Sequence, residues 1–558
     1  MSGSAWVIAA WCLIGPCVSA GAQTAAAGVQ QSTPPAAAQE FERTVPYEQR
    51  VAAAGPVIRL TAREAVDFAM RNNLDIAIER YGQQLALRRV EGARGFYDTS
   101  LSVSAGVSST SNPLTPQAGS TTIPFDEVDV TTFAPGLRQN IAGGGSVAVG
   151  LSSVKTATSS ASASVNPLIG SSLSLALTQP LARGFLATSA DRQIDLARLD
   201  VDIAASQFRQ KVTAVVQQVL GQYWELQYAL SVYEARRQAK DLALMQYEGA
   251  RLRVQSGLLP PVAVTSAQAE IASRERDLLQ AEVQIIGAEN GLKFLIAADP
   301  SSPLWRTAVI AVDTPRPDET AIDVSAAVDL ATARRPELEQ LRLQTAQNAA
   351  DRRFYQREKL PTVNLTASLT SVGRTGTVIG RDGALRVADP TNPIAGGYGR
   401  GWSQVFGFDF PGWGLGVNVQ LPLRNRTAEA LLDQATLARS RLDTQATKTL
   451  QAVIVDVRNT AQVIATQRKS LEAARLTTQL FKEQLEAQTA RYDANFSNDF
   501  ELRRYQRDLV DARVRELRAL VDLQLATIAL RRATDTLLDE YGAPPSLAPR
   551  PSGPPPAR

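Results

Sequence analysis

Two stretches of the chain run in the same way: Leu175-Ala-Leu-Thr-Gln-Pro-Leu181 and Val417-Asn-Val-Gln-Leu-Pro-Leu423 alternate apolar and polar residues, meet Pro-Leu, and give way to a long helical pattern. Alternation with period two marks a strand whose faces meet different surroundings. The same alternation, with small polar partners, occurs in Leu101–Ser109, Ser146–Ser152 and Ser172–Thr178. Strands of about 9 to 11 residues cross a bilayer as part of a closed barrel. Alternation alone also fits a soluble sandwich. Proline cannot donate to a sheet ladder and fixes its own φ, so Pro180-Leu181 and Pro422-Leu423 are expected where a strand leaves the sheet for a helix.

The helical segments are unusual in length. Residues 186–255 and 425–494 contain no proline, and about 70 helical residues span about 105 Å. Shorter helical segments fall at about 61–95 with 262–297 and at about 323–357 with 499–540, each about 52 to 63 Å long. Two short segments end to end equal one long one, as a cylinder of antiparallel helices requires. Leu471, Ala474, Thr478, Phe481, Leu485 and Tyr492, and likewise Val510, Val514, Leu517, Val521 and Ile528, step by threes and fours in coiled-coil fashion, with interruptions at Gln488 and Gln524. A globular bundle explains the seams but not the lengths.

The whole helix-strand unit is duplicated. Ala65-Val-Asp-Phe-Ala69 matches Ala327-Val-Asp-Leu-Ala331, and at the same offset of 262 Leu101, Val103, Ala105 and Val107 meet Val363, Leu365, Ala367 and Leu369. The expected organisation is a signal peptide over 1–22, an Ala/Pro/Gln-rich disordered segment over 23–57, a first repeat over 58–322 and a second over 323–541. The first repeat carries strands within 98–181 and a helical tip near 254–261. In the second, strands lie within 361–423 and the tip near 492–499. A Pro-rich disordered tail covers 542–558. The signal reading rests on a short apolar run from Ala5 to Val18 followed by small residues, although no Lys or Arg precedes the run. Pro16 directly before Cys17 argues against a lipid anchor there. No run of 18 apolar residues follows, so membrane insertion would have to use strands.

Composition removes most chemistry. Lys and Arg number 58 against 55 Asp and Glu, which gives no global field for nucleic acid. Histidine is absent and the only cysteines are Cys12 and Cys17, so the common metal ligands and the commonest general base are missing. Cleavage after Ala20 or Ala22 leaves a mature chain without cysteine, as suits an oxidising compartment. Gly143-Gly-Gly145 is not a phosphate loop, because no Lys-Ser/Thr follows it into a helix. The expectation is no enzyme and no cofactor.

This order of elements, with strands ending in Gln-Pro-Leu or Leu-Pro-Leu and with Tyr223-Trp224-Glu-Leu226 in the first long segment, resembles the outer-membrane efflux protein family typified by TolC over roughly residues 58 to 540. The resemblance implies a mixed α and β fold: a long antiparallel α-helical coiled-coil barrel in the periplasm joined to a β-barrel in the cell outer membrane, assembled from three chains. It implies a homotrimeric passive conduit of a tripartite efflux or type I secretion system, driven by an inner-membrane transporter through a periplasmic adaptor. The alternative is a periplasmic coiled-coil scaffold without channel activity. An open sheet edge in lipid leaves unpaired backbone groups, so strands that span the membrane must find partners in other chains.

By the same resemblance Val254, Gly257 and Leu258 match the family's small apolar adaptor-docking tip, while Asn495, Phe496 and Ser497 occupy the repeat-related tip and depart from it. Either tip also reads as a purely structural turn. Asp493 and Asp499 are candidates for a pore constriction, although a solvated helix end is the more ordinary role for such residues. Finally, Ala142-Gly-Gly-Gly145 is a tight-turn signal between Val130–Gln139 and Ser146–Thr156. This hairpin either raises the count from four to six strands per chain or lies outside the barrel.

Overall fold

The computed structural model describes residues 44–541 apart from 116–123, 161, 186–187, 317–320, 383–384 and 495. The expected signal peptide, the Pro-rich tail and Asn495 lie outside the described residues. The elements run α1 (Tyr47–Ala54), β1 (Val57–Leu60), α2 (Ala62–Asn72), α3 (Leu74–Arg94), β2 (Ser100–Pro113), β3 (Phe125–Asn140), β4 (Ser146–Thr158), β5 (Val165–Pro180), α4 (Ser189–Gln255) and α5 (Val262–Ile296). The second half continues with β6 (Ala308–Ala311), α6 (Val324–Arg334), α7 (Pro336–Glu358), β7 (Thr362–Asp382), β8 (Leu385–Ala388), α8 (Tyr398–Gly407), β9 (Pro411–Gln420), α9 (Arg426–Asp493), α10 (Asp499–Ala533) and α11 (Leu537–Tyr541).

The long helices form where proline is absent and polar caps precede them. Thr188 and Asp191 make a reciprocal capping box on α4, and Asn425 accepts from Ala428 N–H at the start of α9. Their 67 and 68 residues correspond to about 100 Å each. The short helices lie along α4. Lys211–Asp75 (2.9 Å) ties α3 to its first half and Lys240–Glu275 (3.5 Å) ties α5 to its second. On its other flank Arg192–Asp351 (2.8 Å) holds α7 and Arg236–Asp511 (3.1 Å) holds α10. Helix α9 packs outside α7 and α10, through Asn348 Nδ2 to Ala435 O (2.9 Å) and an apolar cluster of Ile464 and Leu471 with Ala519, Leu523 and Ala526. The columns therefore run α3 with α5, then α4, then α7 with α10, then α9.

Two expectations need correction. The segments at 61–95 and 323–357 are each two helices, broken at Asn73 and Arg335. Asn73 caps α3 with its own side chain, and Pro336 opens α7 at a position where its missing N–H costs nothing. These breaks stand at the same offset of 262 as the other matches. Disorder over 23–57 is also too broad, because its last part holds α1 and the start of β1. Tyr47 is buried edge-on against Tyr233 at 5.3 Å, and Arg50 pairs with Glu282 at 2.7 Å, so this short helix is fastened from outside rather than by its own propensity.

The main core lies midway along α4. Phe208, Val212, Val215, Val219, Leu220, Tyr223 and Leu226 meet Val66 and Ala69 of α2, Ile285, Leu292 and Ile296 of α5, and Val521 and Ile528 of α10. The seam read over 510–528 thus turns toward α4, and a second stripe through Ala519, Leu523 and Ala526 meets α9. Strands β1 and β6 form a separate parallel pair here. Tyr223 Oη donates to Leu60 O and Asp313 Oδ2, both at 3.0 Å, while Asp313 Oδ2 accepts from Ala62 N–H at 2.6 Å. Val309 N–H donates to the buried Glu289 carboxylate (2.9 Å), itself paired with buried Lys293 at 2.8 Å.

Among the described residues the other sheet has seven strands in the order β2-β3-β4-β5-β7-β8, with β9 pairing β7 beside its first half. Every pairing is antiparallel. The hairpin of uncertain place, now β3 and β4, is inserted between β2 and β5 in continuous register. The first repeat therefore gives four strands rather than two. Beyond β8, the chain in the second repeat forms α8, which lies against β7 and β5.

Candidate functional site

The sheet has two chemically distinct faces because its register keeps odd-numbered residues in line. On one face Leu101 lies opposite Leu137, Leu137 opposite Val149, Val149 opposite Leu175, Leu175 opposite Leu369 and Leu369 opposite Trp413. All six are exposed large apolar side chains. The other face carries Ser102, Gly136, Gly150, Ser174, Thr370 and Gly412 in matching register. An apolar outer wall and a lining of small polar groups is the pattern of a strand layer between lipid and water. Among the described residues, the strands at both ends of the layer, β2 and β9, each have one edge without a neighbour.

The sheet-to-helix joints come next. Pro180 is the last residue of β5 and pairs with Asn364, and Leu181 N–H still reaches Val363 O at 2.7 Å. Pro422 stands two residues beyond β9, with Leu423 at 96% exposure. The repeat-related prolines thus occupy different surroundings. Pro180 is buried because the Gly143–Gly145 turn folds back onto it: Gln179 Nε2 donates to Gly143 O at 3.1 Å, and Gly144 has φ +86. Tyr97 Oη, just before β2, donates to Asp191 Oδ1 (2.5 Å) in the α4 capping box. Burial first, and then the neighbouring carboxylate, push this phenol above its ordinary value.

At the far ends of the long helices the chain reverses twice. Gly257 takes φ +74, which favours glycine, and lets its own N–H reach Val254 O (3.0 Å) while Leu258 N–H reaches Arg253 O (2.8 Å). Leu258 is exposed and Val254 half-buried. In the second tip Phe496 N–H bonds Arg491 O at 2.8 Å and its ring is 86% exposed. Ser497 accepts from Gln488 Nε2, which also donates to Glu501 Oε2 at 2.9 Å. Gln488 interrupts the apolar seam because it bridges the hairpin. Asp499 pairs with Arg503 at 2.8 Å, whereas Asp493 is exposed at the end of α9. A groove of about 520 Å³ separates the tips, lined by Gly249, Arg253, Leu259, Tyr492, Asp499 and Leu502 among others.

Among the described residues no group of acidic, cysteine or histidine side chains is placed to hold a metal, and no helix is long and apolar enough to cross a membrane. The family model "outer membrane efflux protein" matches residues 66–298 and 327–536. This chain belongs to the outer membrane efflux protein family. Its two matched segments reflect the internal duplication. Among solved structures, the Campylobacter jejuni CmeC outer membrane channel is 15% identical, with 85% of this chain and 86% of that one covered at a TM-score of 0.59. VceC of Vibrio cholerae gives 16% identity, 86% and 96% coverage and a TM-score of 0.57, and the open state of the Neisseria gonorrhoeae MtrE channel gives 16%, 85% and 89%, and 0.56. These likenesses show a shared fold. No curated protein sequence matches.

The structure also shows what the efflux-family motifs in the sequence do locally. Tyr223, Trp224 and Leu226 are core residues, with the first two rings edge-to-face at 5.3 Å. Helix α8 and the tip-to-tip contact of Arg253 with Tyr492 were not foreseen. Gly396 and Gly397 beside Tyr398, Trp402 and Phe406 at four-residue spacing were the available signal for α8.

Proposed function

We propose that three copies of this chain form a passive conduit through the outer membrane and periplasm, and that an inner-membrane transporter drives export through it by way of a periplasmic adaptor. The supporting observation is that the two unpartnered edges of the sheet and of the helical layer coincide. β2 leads from α3 on one side, and β9 leads into α9 on the other. The α3 with α5 edge exposes Ile78, Tyr81, Leu85, Val283 and Phe294, and the α9 edge exposes Leu437, Val455, Leu476 and Leu480. One repeated head-to-tail contact would then cover both apolar stripes and both strand edges, which is how a rotationally symmetric ring closes.

Strand directions permit this closure. β9 runs toward the helices and β2 away from them, so β9 of one copy meets β2 of the next antiparallel. Three copies of the six long strands give eighteen, within the range of about 16 to 18 strands at which barrels leave an aqueous channel. The helical part then lies on the periplasmic side, and the Ser/Thr-rich face lines the pore. Val254, Gly257, Leu258, Asn495, Phe496 and Ser497 are proposed as adaptor contacts. Asp493 is the better constriction candidate of the two acids, because Arg503 offsets the charge of Asp499. Pro180, Leu181, Pro422 and Leu423 are junction residues without substrate contact.

Native mass measurement of the detergent-extracted protein, paired with planar-bilayer recording, tests the assembly. Three copies and discrete conductance steps are expected. A monomer that neither conducts nor fractionates with membranes would instead favour the periplasmic scaffold.

A further inference from the structure

The odd-numbered face of the sheet changes character toward the end far from the long helices. On β7 it is apolar at Val363, Leu365, Ala367 and Leu369, and then becomes Ser371, Gly373 and Thr375. On β5 the same transition runs from Leu173 to Ser171. Hydroxyls at those positions would be out of place against acyl chains. They are not exposed: Ser171, Ser371 and Thr375 are all buried, and α8 covers them.

The helix is built to lie there. Gly373 and Gly401 approach so closely that a Cβ on Gly373 would meet the Gly401 carbonyl oxygen, which brings the helix backbone down onto the strand. Ser371 Oγ donates to Val405 O at 2.7 Å and Thr375 Oγ1 to Gly397 O at 3.2 Å, so the strand hydroxyls satisfy helix carbonyls. Of the polar side chains of α8, half-buried Gln404 accepts from Arg374 N–H (3.0 Å), while Arg400 and Ser403 are exposed and donate to the backbone, at Ala395 O (3.1 Å) and Arg400 O (2.8 Å) respectively. The large side chains beside them on the outside are aromatic. Trp402 stacks on Phe406 at 5.7 Å, and Phe406, Phe408, Phe410 and Trp413 are exposed.

The dimensions fit an anchoring role. From Val363 to Leu369 a strand rises about 20 Å along its own axis, less once tilted, whereas the apolar band of an outer-membrane barrel is about 25 Å tall. A helix of about 15 Å laid over the next six strand residues extends the apolar surface past the point where the strands turn polar. We propose that α8 is a lipid-facing cover on the outer wall, whose Trp402/Phe406 face sits among the acyl chains near the outer rim of the membrane. The inference rests on the reading of the sheet as a membrane barrel. The occupant is lipid rather than another copy, because α8 lies flat on the odd-numbered, apolar face of β5 and β7, against Ser171 and Thr375, and not along the strand edges where a next copy would pair.

Single spin labels test this in the full chain, reconstituted in phosphatidylethanolamine/phosphatidylglycerol vesicles with Cys12→Ala and Cys17→Ala. Labels at Phe406→Cys, at Leu175→Cys on the apolar wall and at Ser174→Cys on the opposite face are compared for collision with oxygen and with a water-soluble nickel chelate. The expected result is that 175 and 406 both favour oxygen several-fold while 174 favours nickel. If 175 favours oxygen and 406 favours nickel, or 406 is shielded from both, the cover proposal is overturned and the barrel stands. If 175 favours nickel, the barrel reading itself fails and the cover proposal with it.

Discussion

Arg253 of α4 donates from Nη1 to the hydroxyl of Tyr492 in α9 at 3.0 Å, and its guanidinium lies 5.6 Å from the centre of the same ring. One residue belongs to each tip, so this contact fastens the two hairpins where the conduit would meet its adaptor. The pair is exposed, and an exposed contact of this kind contributes about 1 kcal/mol or less, a strength suited to a latch that a partner can open.

Removal of the latch should loosen the tips. Arg253→Ala is expected to raise open probability or conductance in planar bilayers by a few fold, and Tyr492→Phe, which keeps the ring, by less. Unchanged conductance in both would show that the tips do not gate the path.

Asp493 supplies a separate test of the same end. Three exposed carboxylates brought together by symmetry would favour cations. Asp493→Ala should lower the cation-to-anion permeability ratio measured from reversal potentials, whereas Asp499→Ala, already offset by Arg503, should change it little. No shift with Asp493→Ala would remove this residue from the pore.

At the sheet-to-helix joint, Gly144 is the position least able to change. Its φ is +86, and an added Cβ would collide with the Gly184 carbonyl oxygen and stand 2.8 Å from Thr188 Cγ2. Left-handed strain alone is about 1 to 2 kcal/mol, and backbone must shift as well. Gly144→Ala is expected to lower the melting temperature of the assembled protein by several degrees. An unchanged melting curve would mean the turn is not packed on the joint.

Asp535 gives a pH signature. Burial pushes its carboxyl up to about 6, against the opposing pull of Arg209 at 2.7 Å and of Arg335, with Glu337 and Asp539 adding to the rise. An acid with a raised folded value binds its proton more tightly when folded. Its stabilising effect is therefore fully present below 3.8, the ordinary value, and is lost as pH rises through about 6. Asp535→Asn should match the native protein near pH 4 and exceed it above pH 7 by at most about 3 kcal/mol. Asparagine also tolerates the positive φ of 55 found there. A variant less stable than the native protein above pH 7 would show that the Arg209 pair outweighs burial.

Much of the fold was legible because its signals are long. Proline-free stretches marked α4 and α9, and alternation marked β2, β5, β7 and β9. Features held by distant contacts were not. β1 and β6 are four residues each and exist because Tyr223, Asp313 and Glu289 anchor them. α1 depends on Tyr233 and Glu282. The breaks at Asn73 and Arg335 had local signals in an N-cap residue and Pro336, which the longer helical periodicity masked. For the tips, the sequence supplied Gly257 and the surrounding residues but not the Arg253–Tyr492 bond, which joins residues 239 apart.

The central claim is that β9 of one copy pairs with β2 of the next and closes a ring of three. Its most direct test places cysteine at Val103 in β2 and scans Trp413, Leu415, Val417 and Val419 in β9, one pair at a time in the Cys12→Ala, Cys17→Ala background, under mild oxidation in membranes. A single register should cross-link efficiently, and the product should stop at a covalent trimer on a non-reducing gel. Absence of any cross-link across the scan, or a ladder that continues beyond three chains, would contradict the claim.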